Sequence, residues 1–224
     1  DSFIAMSKQV VDELRQFTSK SCKMIPHPVY DHYGDTMTKS AACAHLQLNE
    51  NQKYLLFFGF IRNYKGLDIL LEAMADSRIK KAGIKLIVAG EFYGDASPYH
   101  QLIEKSGNSE SIILHTDYIA DDEVKYFFSA ADLIVQPYKS ATQSGISQLA
   151  YHFEKPMVVT NVGGLPEIVH HLKTGYVVEV NHQAIADAII DFFEKNNSLS
   201  FAPYLKEEKK KYSWESLAKG ILNQ

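Results

Sequence analysis

From Gln52 to about Lys195 the chain alternates short apolar runs with stretches at helical spacing, and that alternation leaves few folds open. "KYLLFFGF", "IKLIVAG", "SIILHTDY", "DLIVQPY", "PMVVTN" and "GYVVEV" read as strands. Between them, "GLDILLEAMADS" puts Leu67, Leu70, Leu71 and Met74 on one helix face. "PYHQLIEKSG", "ADDEVKYFFSAA", "SGISQLAYHFE" and "LPEIVHHLK" read as further helices, and "NHQAIADAIIDFFEKN" closes the series with Ile185, Ile189, Phe192 and Phe193 on one side. The strand runs are apolar throughout, so both faces of the sheet are expected to be covered. Six such units predict an α/β fold with a doubly wound, parallel six-stranded Rossmann-like sheet. Ligands of these sheets sit at the carboxyl ends of the strands. Gly59, Gly90, Tyr118, the turn from Tyr138 to Gly145, and Gly163–Gly164 all fall there.

A hydrophobic content of 46% over 224 residues is ample for one large α/β core. A net charge of −4, spread along the chain, does not indicate a surface for nucleic acid. The cysteines, Cys22 and Cys43, have neither disulfide-scaffold nor metal spacing, and no apolar run approaches the roughly 20 residues of a membrane span. With no secretion signal visible, a reduced, cytoplasmic setting is the expectation. The start at Asp1 rather than Met suggests a piece of something longer. The two ends stand outside the alternation. Residues 1–50 read as a strand ("SFIAMS"), a helix ("KQVVDELRQFTS") and an extended piece ("CKMIPHPVYDHYG"); residues 51–200 form the sheet domain. Residues 201–224 carry a charged run, "KEEKKK", read as a solvated helix face, and the amphipathic "YSWESLAKGILNQ" with Trp214, Leu217, Ala218 and Ile221 on one side.

Three loops carry candidate chemistry. In "QPYKSATQSGISQLAYHFEKP" a small polar turn with Ser140, Thr142, Ser144 and Gly145 runs directly into a helix, where bare amides and the helix dipole favour a phosphate. The plainer alternative is an ordinary N-cap loop. In "FFGFIRNYKGLDILLEAM" Gly59 ends a strand, and Arg62 and Lys65 stand ahead of a helix, where two cations could neutralise a diphosphate. "IVAGEFYGD" puts Gly90 and Glu91 after the next strand, with glycine allowing close approach of a ligand. In "NVGGLPEIV" a tight turn alone explains the glycines and the proline, and Glu167 reads as an acid near a helix start. Asp121 and Asp122 are better explained as helix-capping acids than as metal ligands. The nine histidines form no metal pattern, no Ser/His/Asp arrangement is evident, and G-x-G-x-x-G is absent.

The order of five stretches, "FGFIRNYKGLDILLEA", "KLIVAGE", "DYIADDEVKYFFSAADLIVQP", "GISQLAYHFEKPMVVTNVGGLPEIV" and "TGYVVEV", resembles the nucleotide-sugar-binding C-terminal domain of retaining GT-B glycosyltransferases, the glycosyl transferases group 1 family. "IAMSKQVVDEL" with "KMIPHPV" is similar to the end of that family's N-terminal domain and its linker, and "YSWESLAKGIL" to the helix that crosses back. The resemblance implies transfer of a sugar from a nucleotide diphosphate sugar to a saccharide or lipid-linked acceptor, with retention and no metal or other cofactor. This piece would supply the donor-binding half and be inactive alone. It also implies that the full-length protein is cytoplasmic, with peripheral association at the inner face of the membrane, and binds no nucleic acid.

Lys65 matches the family lysine; Phe60 stands where the arginine usually is, so Arg62 would substitute for it. The family's two glutamates, eight apart, correspond to Ala141 and Leu149, and a one-residue shift brings Gln148 to the ribose position. Ser144, Gly145 and Ile146 would then supply amides to phosphate, giving a donor site of Gly59, Arg62, Lys65, Gly90, Glu91, Tyr118, Ser144, Gly145, Ile146 and Gln148, with no catalytic residue identifiable. Two alternatives stay open: a non-catalytic GT-B-like scaffold or regulatory domain, which the missing glutamates favour, and a nucleotide-sugar epimerase.

Overall fold

The computed structural model describes residues 2–222. Six strands, β3 (Tyr54–Phe58), β4 (Lys85–Ala89), β5 (Ile112–His115), β6 (Leu133–Gln136), β7 (Met157–Thr160) and β8 (Gly175–Val178), form one sheet in the order β5-β4-β3-β6-β7-β8. Every neighbouring pair is parallel. Leu55, Leu56, Phe57, the run Leu86 to Ala89 and the run Leu133 to Val135 are all at most 1% exposed, so helices close both faces, as continuous apolar strands require. The helices following the strands are α3 (Leu67–Met74) and α4 (Ser77–Lys81), then α5 (Ser97–Lys105), α6 (Val124–Ala130), α7 (Gly145–His152), α8 (Leu165–Ile168) and α9 (His182–Glu194). Helix α3 packs against α5 and α9, the last through the Ile185, Ile189 and Phe192 face.

Two short helices were not expected. Besides α4, there is α2 (Lys39–His45), capped by Thr38, whose Oγ1 accepts the Ala41 N–H. It lies on α6, with Ala42 and Cys43 in the core. Asp132 anchors it by accepting from Lys39 Nζ at 2.7 Å and from the Tyr54 N–H at 2.8 Å. The acids at the start of α6 depart from the capping expectation: none makes a cap hydrogen bond, and Glu123 instead bonds His45 Nε2 at 2.8 Å.

The end segments lie outside the six-stranded sheet, and Val29, Phe201, Leu205 and Tyr212 from them join its core. Strands β1 (Phe3–Ala5) and β2 (Cys22–Met24) make a two-stranded parallel pair around α1 (Lys8–Leu14). Glu167 tethers that piece, its carboxylate accepting the Lys8 and Gln9 amides at 2.8 and 3.4 Å; the acid therefore serves the start of α1 as well as its own helix. Helix α10 (Asn197–Lys211) buries Phe201 and Leu205 and exposes most of its lysines, while Lys209 bonds the His152 carbonyl at 2.7 Å. Helix α11 (Trp214–Leu222) buries no residue and leaves Trp214 and Ile221 about half exposed; Asn223 and Gln224, expected to continue it, lie outside the described residues. Among the described residues no helix is long and apolar enough to cross a membrane.

From β3 the chain moves outward through β4 to β5, then returns across the sheet to β6, so the loops after β3 and β6 diverge at a switch point. Those loops touch. Gly66, at φ +71°, lies so close to the Pro137 carbonyl that a Cβ would stand 1.9 Å from its oxygen. Gly163, at φ +53°, leaves 1.4 Å between a Cβ and the Ala141 oxygen, so the glycine pair after β7 answers to a distant contact as well as to its own turn. Gly163→Ala is expected to lower stability by at least about 2 kcal/mol, combining left-handed strain with overpacking. A melting curve should show a fall of about 4–8 °C.

Candidate functional site

The loop after β3 turns at Gly59, passes through a short 3-10 turn (Asn63–Lys65) and enters α3 at Gly66. The loop after β6 crosses it, with the Lys139 N–H donating to the Tyr64 carbonyl at 2.7 Å and Lys139 Nζ to Asp68 at 2.8 Å. Tyr138 lies beneath, buried, its hydroxyl 3.3 Å from Ser144 Oγ, and burial pushes its phenol well above the ordinary range. Lys65 is thereby folded inward. Its side chain is 8% exposed, and a Cβ on Gly59 would sit 3.0 Å from Nζ.

The Lys65 ammonium has no hydrogen bond or ion pair among the described residues, and the centroid of the Tyr138 ring lies 5.9 Å from it. Burial first, and the charge of Arg62 second, bring its pKa down to about 8. Lys155 gives the control. It too is buried with a pKa near 8, but it donates to the Ser129 and Ala131 carbonyls at 3.1 and 2.8 Å, tying off the end of α6. One buried lysine has a structural occupation and the other has none. Arg62 also lacks a carboxylate: it stacks on Tyr93 at 4.3 Å, with its Nε buried and unpartnered. Two cations thus face a switch point with no counter-charge, an arrangement suited to an anion.

The start of α7 is arranged differently from the expectation of free amides. Ser144 is the N-cap, and its Oγ accepts the Ile146 N–H at 3.2 Å, so that amide is already engaged. The Gly145 N–H has no partner among the described residues. Ile146 contributes its side chain instead, with Cδ1 3.3 Å from a Cβ on Gly59. Gln148 is 2% exposed with Oε1 unpartnered, and it lines a cavity of about 60 Å³ with Ser144 and Gly145. Leu149 packs into the core, so the side chain that reaches the cavity is Gln148. Ser147 is held inside by Gln136 at 3.1 Å.

Gly59, Gly90, Glu91 and Tyr118 come together in a cleft of about 140 Å³ floored by Phe58 and Val124. Gly90 supports the Gly59 backbone directly, since a Cβ there would meet the Gly59 oxygen at 2.5 Å. Of the candidate residues, Gly59, Gly90, Glu91 and Tyr118 line one hollow and Ser144, Gly145 and Gln148 another, Lys65 and Ile146 lie beside Gly59, and Arg62 lines neither hollow but stacks on Tyr93. Sequence reasoning missed Tyr30 and Tyr33, which line these hollows from the segment after β2; their only signal is the aromatic density of "PVYDHYG". A larger groove of about 480 Å³ lies beyond Tyr93, but its charges are either paired, as Asp68 with Lys139, or exposed, as Asp95 and Lys105. Among the described residues no group of three or more His, Cys, Asp or Glu side chains could hold a metal ion.

The family model for glycosyl transferases group 1 matches residues 40–220. Among curated relatives, the D-inositol 3-phosphate glycosyltransferase of Segniliparus rotundus is 29% identical over 191 residues, covering 82% of this chain and 42% of that protein. The chain spans about half the length of the curated relatives it matches. Among solved structures, sucrose-phosphate synthase from Thermosynechococcus elongatus superimposes with a TM-score of 0.83 at 20% identity, over 98% of this chain and 57% of that one. Anabaena HepE in complex with UDP and glucose gives 0.78 at 19% identity, over 99% and 62%. With the fold of a GT-B Rossmann-like half and a family match across most of its length, the chain belongs to the glycosyl transferases group 1 family.

Proposed function

We propose that this chain is the donor-binding half of a retaining glycosyltransferase that takes its sugar from a nucleotide diphosphate sugar. The observation that carries this reading is the largely buried Lys65 side chain at the switch point of the sheet, whose ammonium has no partner among the described residues. Holding that charge in the empty site costs about 3 kcal/mol at neutral pH, a cost that a bound anion offsets. In the proposed complex the nucleoside lies in the cleft beside Gly59 and Gly90, with Tyr118 at its rim and the Glu91 carboxylate within the lining. The diphosphate faces Lys65, Arg62 and the Gly145 N–H at the start of α7. Its charge is met by these groups rather than by a metal. When the bond from the anomeric carbon to the diphosphate breaks, the electron pair passes to the diphosphate oxygen, and the lysine charge is already in place to stabilise it. The Anabaena neighbour holds UDP and glucose, which supports a nucleotide donor of this class.

The acceptor, a saccharide or lipid-linked saccharide, and the retaining step belong to the remainder of the full-length protein in this proposal, as does any association with the inner face of the membrane. The isolated chain is then a binder and not a transferase. A second reading, a non-catalytic scaffold on the same plan, draws on Ala141 and Leu149, which stand at the family's two glutamate positions; Leu149 is in the core and cannot contact a ligand.

Calorimetric titration with UDP, GDP and ADP tests the proposal: one nucleotide should bind, and Lys65→Ala should weaken it at least tenfold. No binding by any of them to this chain or to the full-length protein would overturn it. Affinity should decline above about pH 8 as the ammonium deprotonates, by up to tenfold per pH unit.

Stability should show the opposite trend. Between about pH 8 and 10.5 the unfolded lysine holds a proton that the folded one has lost, so the penalty at Lys65 disappears as pH rises. Lys65→Met should therefore raise stability at pH 7 by about 2 kcal/mol, with the gain fading towards pH 10 in thermal melts. Lys155→Met removes a like penalty but leaves the Ser129 and Ala131 carbonyls without their donor, so it should stabilise less than Lys65→Met, by about 1–3 kcal/mol.

A further inference from the structure

The start of α7 is covered. The ring of Tyr30 lies against Gly145: a Cβ there would stand 3.1 Å from the tyrosine Cε2 and 3.4 Å from its hydroxyl. Gly145 has an ordinary φ, so what the glycine provides at this position is room for that ring. With Tyr30 in place the hollow beside Ser144, Gly145 and Gln148 measures only about 60 Å³, whereas ligand pockets run to about 300–1,000 Å³. The Gln148 amide is sealed behind it with Oε1 unsatisfied, so the covered state carries a desolvation cost.

Nothing fastens the cover tightly. The Tyr30 hydroxyl has no hydrogen-bond partner among the described residues, and the ring is held by packing against His27, His32 and Tyr33 at centroid distances of 4.9, 5.8 and 6.2 Å. The segment that carries it is fixed at two points on either side. The Val29 N–H donates to the Tyr212 carbonyl at 2.8 Å, and His152 Nε2 lies 2.7 Å from the Gly34 carbonyl. The backbone is anchored on both sides, so opening falls to the partly buried Tyr30 side chain, which would leave its packing by a change of rotamer.

We propose that Tyr30 is a gate over the diphosphate seat: its ring packs on the side-chain side of Gly145, fills the hollow beside Ser144 and Gln148, and must rotate out before a phosphate reaches the start of α7. This rests on the reading that the site takes a nucleotide diphosphate. The bound state exchanges a ring that satisfies no polar group for an anion that accepts from the free Gly145 amide. The closed ring acts as an internal competitor, so the apparent affinity equals the intrinsic one reduced by the open fraction.

Three variants of the present chain test the gate through titration with UDP, GDP, ADP and inorganic pyrophosphate, paired with amide-resolved hydrogen exchange by NMR. Tyr30→Phe keeps the ring and should match the parent in both measurements. Tyr30→Ala should tighten binding about three- to tenfold and accelerate exchange at Gly145. Tyr30→Trp should weaken binding. General damage to the fold would lower affinity in both the alanine and tryptophan variants, so opposite signs identify a gate. Equal or weaker binding by Tyr30→Ala overturns it and makes Tyr30 a bystander or a ligand contact. If neither the parent nor any variant binds any of the four probes, and the full-length protein binds none of them either, the nucleotide reading fails on its own. The gate is then judged by exchange: acceleration at Gly145 in the alanine variant keeps the cover, and its absence removes it.

Discussion

Two loops that leave the sheet in opposite directions are pressed together where they part, and the site exists because of that contact. Gly66 meets the Pro137 carbonyl at a separation no side chain could share, and the Lys139 N–H clasps the Tyr64 carbonyl just above. This junction is what turns Lys65 inward. A lysine at the mouth of an open loop would remain in water, paired with passing counter-ions and of no consequence to stability. Here the ridge formed by Tyr138 and the Gly59 turn leaves the ammonium a narrow place with no carboxylate in it.

An uncompensated buried charge is otherwise something folds eliminate, by pairing it or by replacing it with an apolar group. The molecule contains both solutions side by side. Lys155 is partly buried and is used as a strut between carbonyls. Lys39 meets Asp132 and holds a helix to the core. Against those examples Lys65 stands without a partner among the described residues, with Arg62 equally lacking a carboxylate, and this is why the proposed anion is assigned to this edge of the sheet. Perturbed acidity does not distinguish the two buried lysines; the inventory of partners does.

The sheet was legible in the sequence because its strands are apolar on both faces and its long helices are amphipathic; those are local properties, and α3 buries the four residues expected of it while α9 buries Ile185, Ile189 and Phe192 and leaves Phe193 partly exposed. Helix α2 was not, since its alanines and Cys43 carry little periodicity and its existence depends on a Thr38 cap and a seam with α6. At the site, the glycines and Lys65 were visible as types in a loop. That Lys65 would be dry, that Ser144 would spend its oxygen on the Ile146 amide, and that Gln148 rather than Leu149 would reach the hollow are consequences of packing. Tyr30 and Tyr33 were the hardest to find. Their approach to α7 is fixed by a histidine 118 residues further along the chain and by the Tyr212 carbonyl, and no short-range pattern encodes such a return.

The glycine pair after β7 has neighbours on both sides. On one side are the Ala141 and Thr142 carbonyls of the loop that leads to α7; on the other are Ser7 and Gln9 at the start of α1, which Glu167 grips by its amides. Gly163 and Gly164 therefore act as a spacer one backbone thick between the terminal segment and the anion-facing loop. A spacer without side chains has no give: it cannot tilt a rotamer to absorb movement. Whatever positions α1 also positions Ala141, so the geometry in front of Gly145 is calibrated from the far end of the chain.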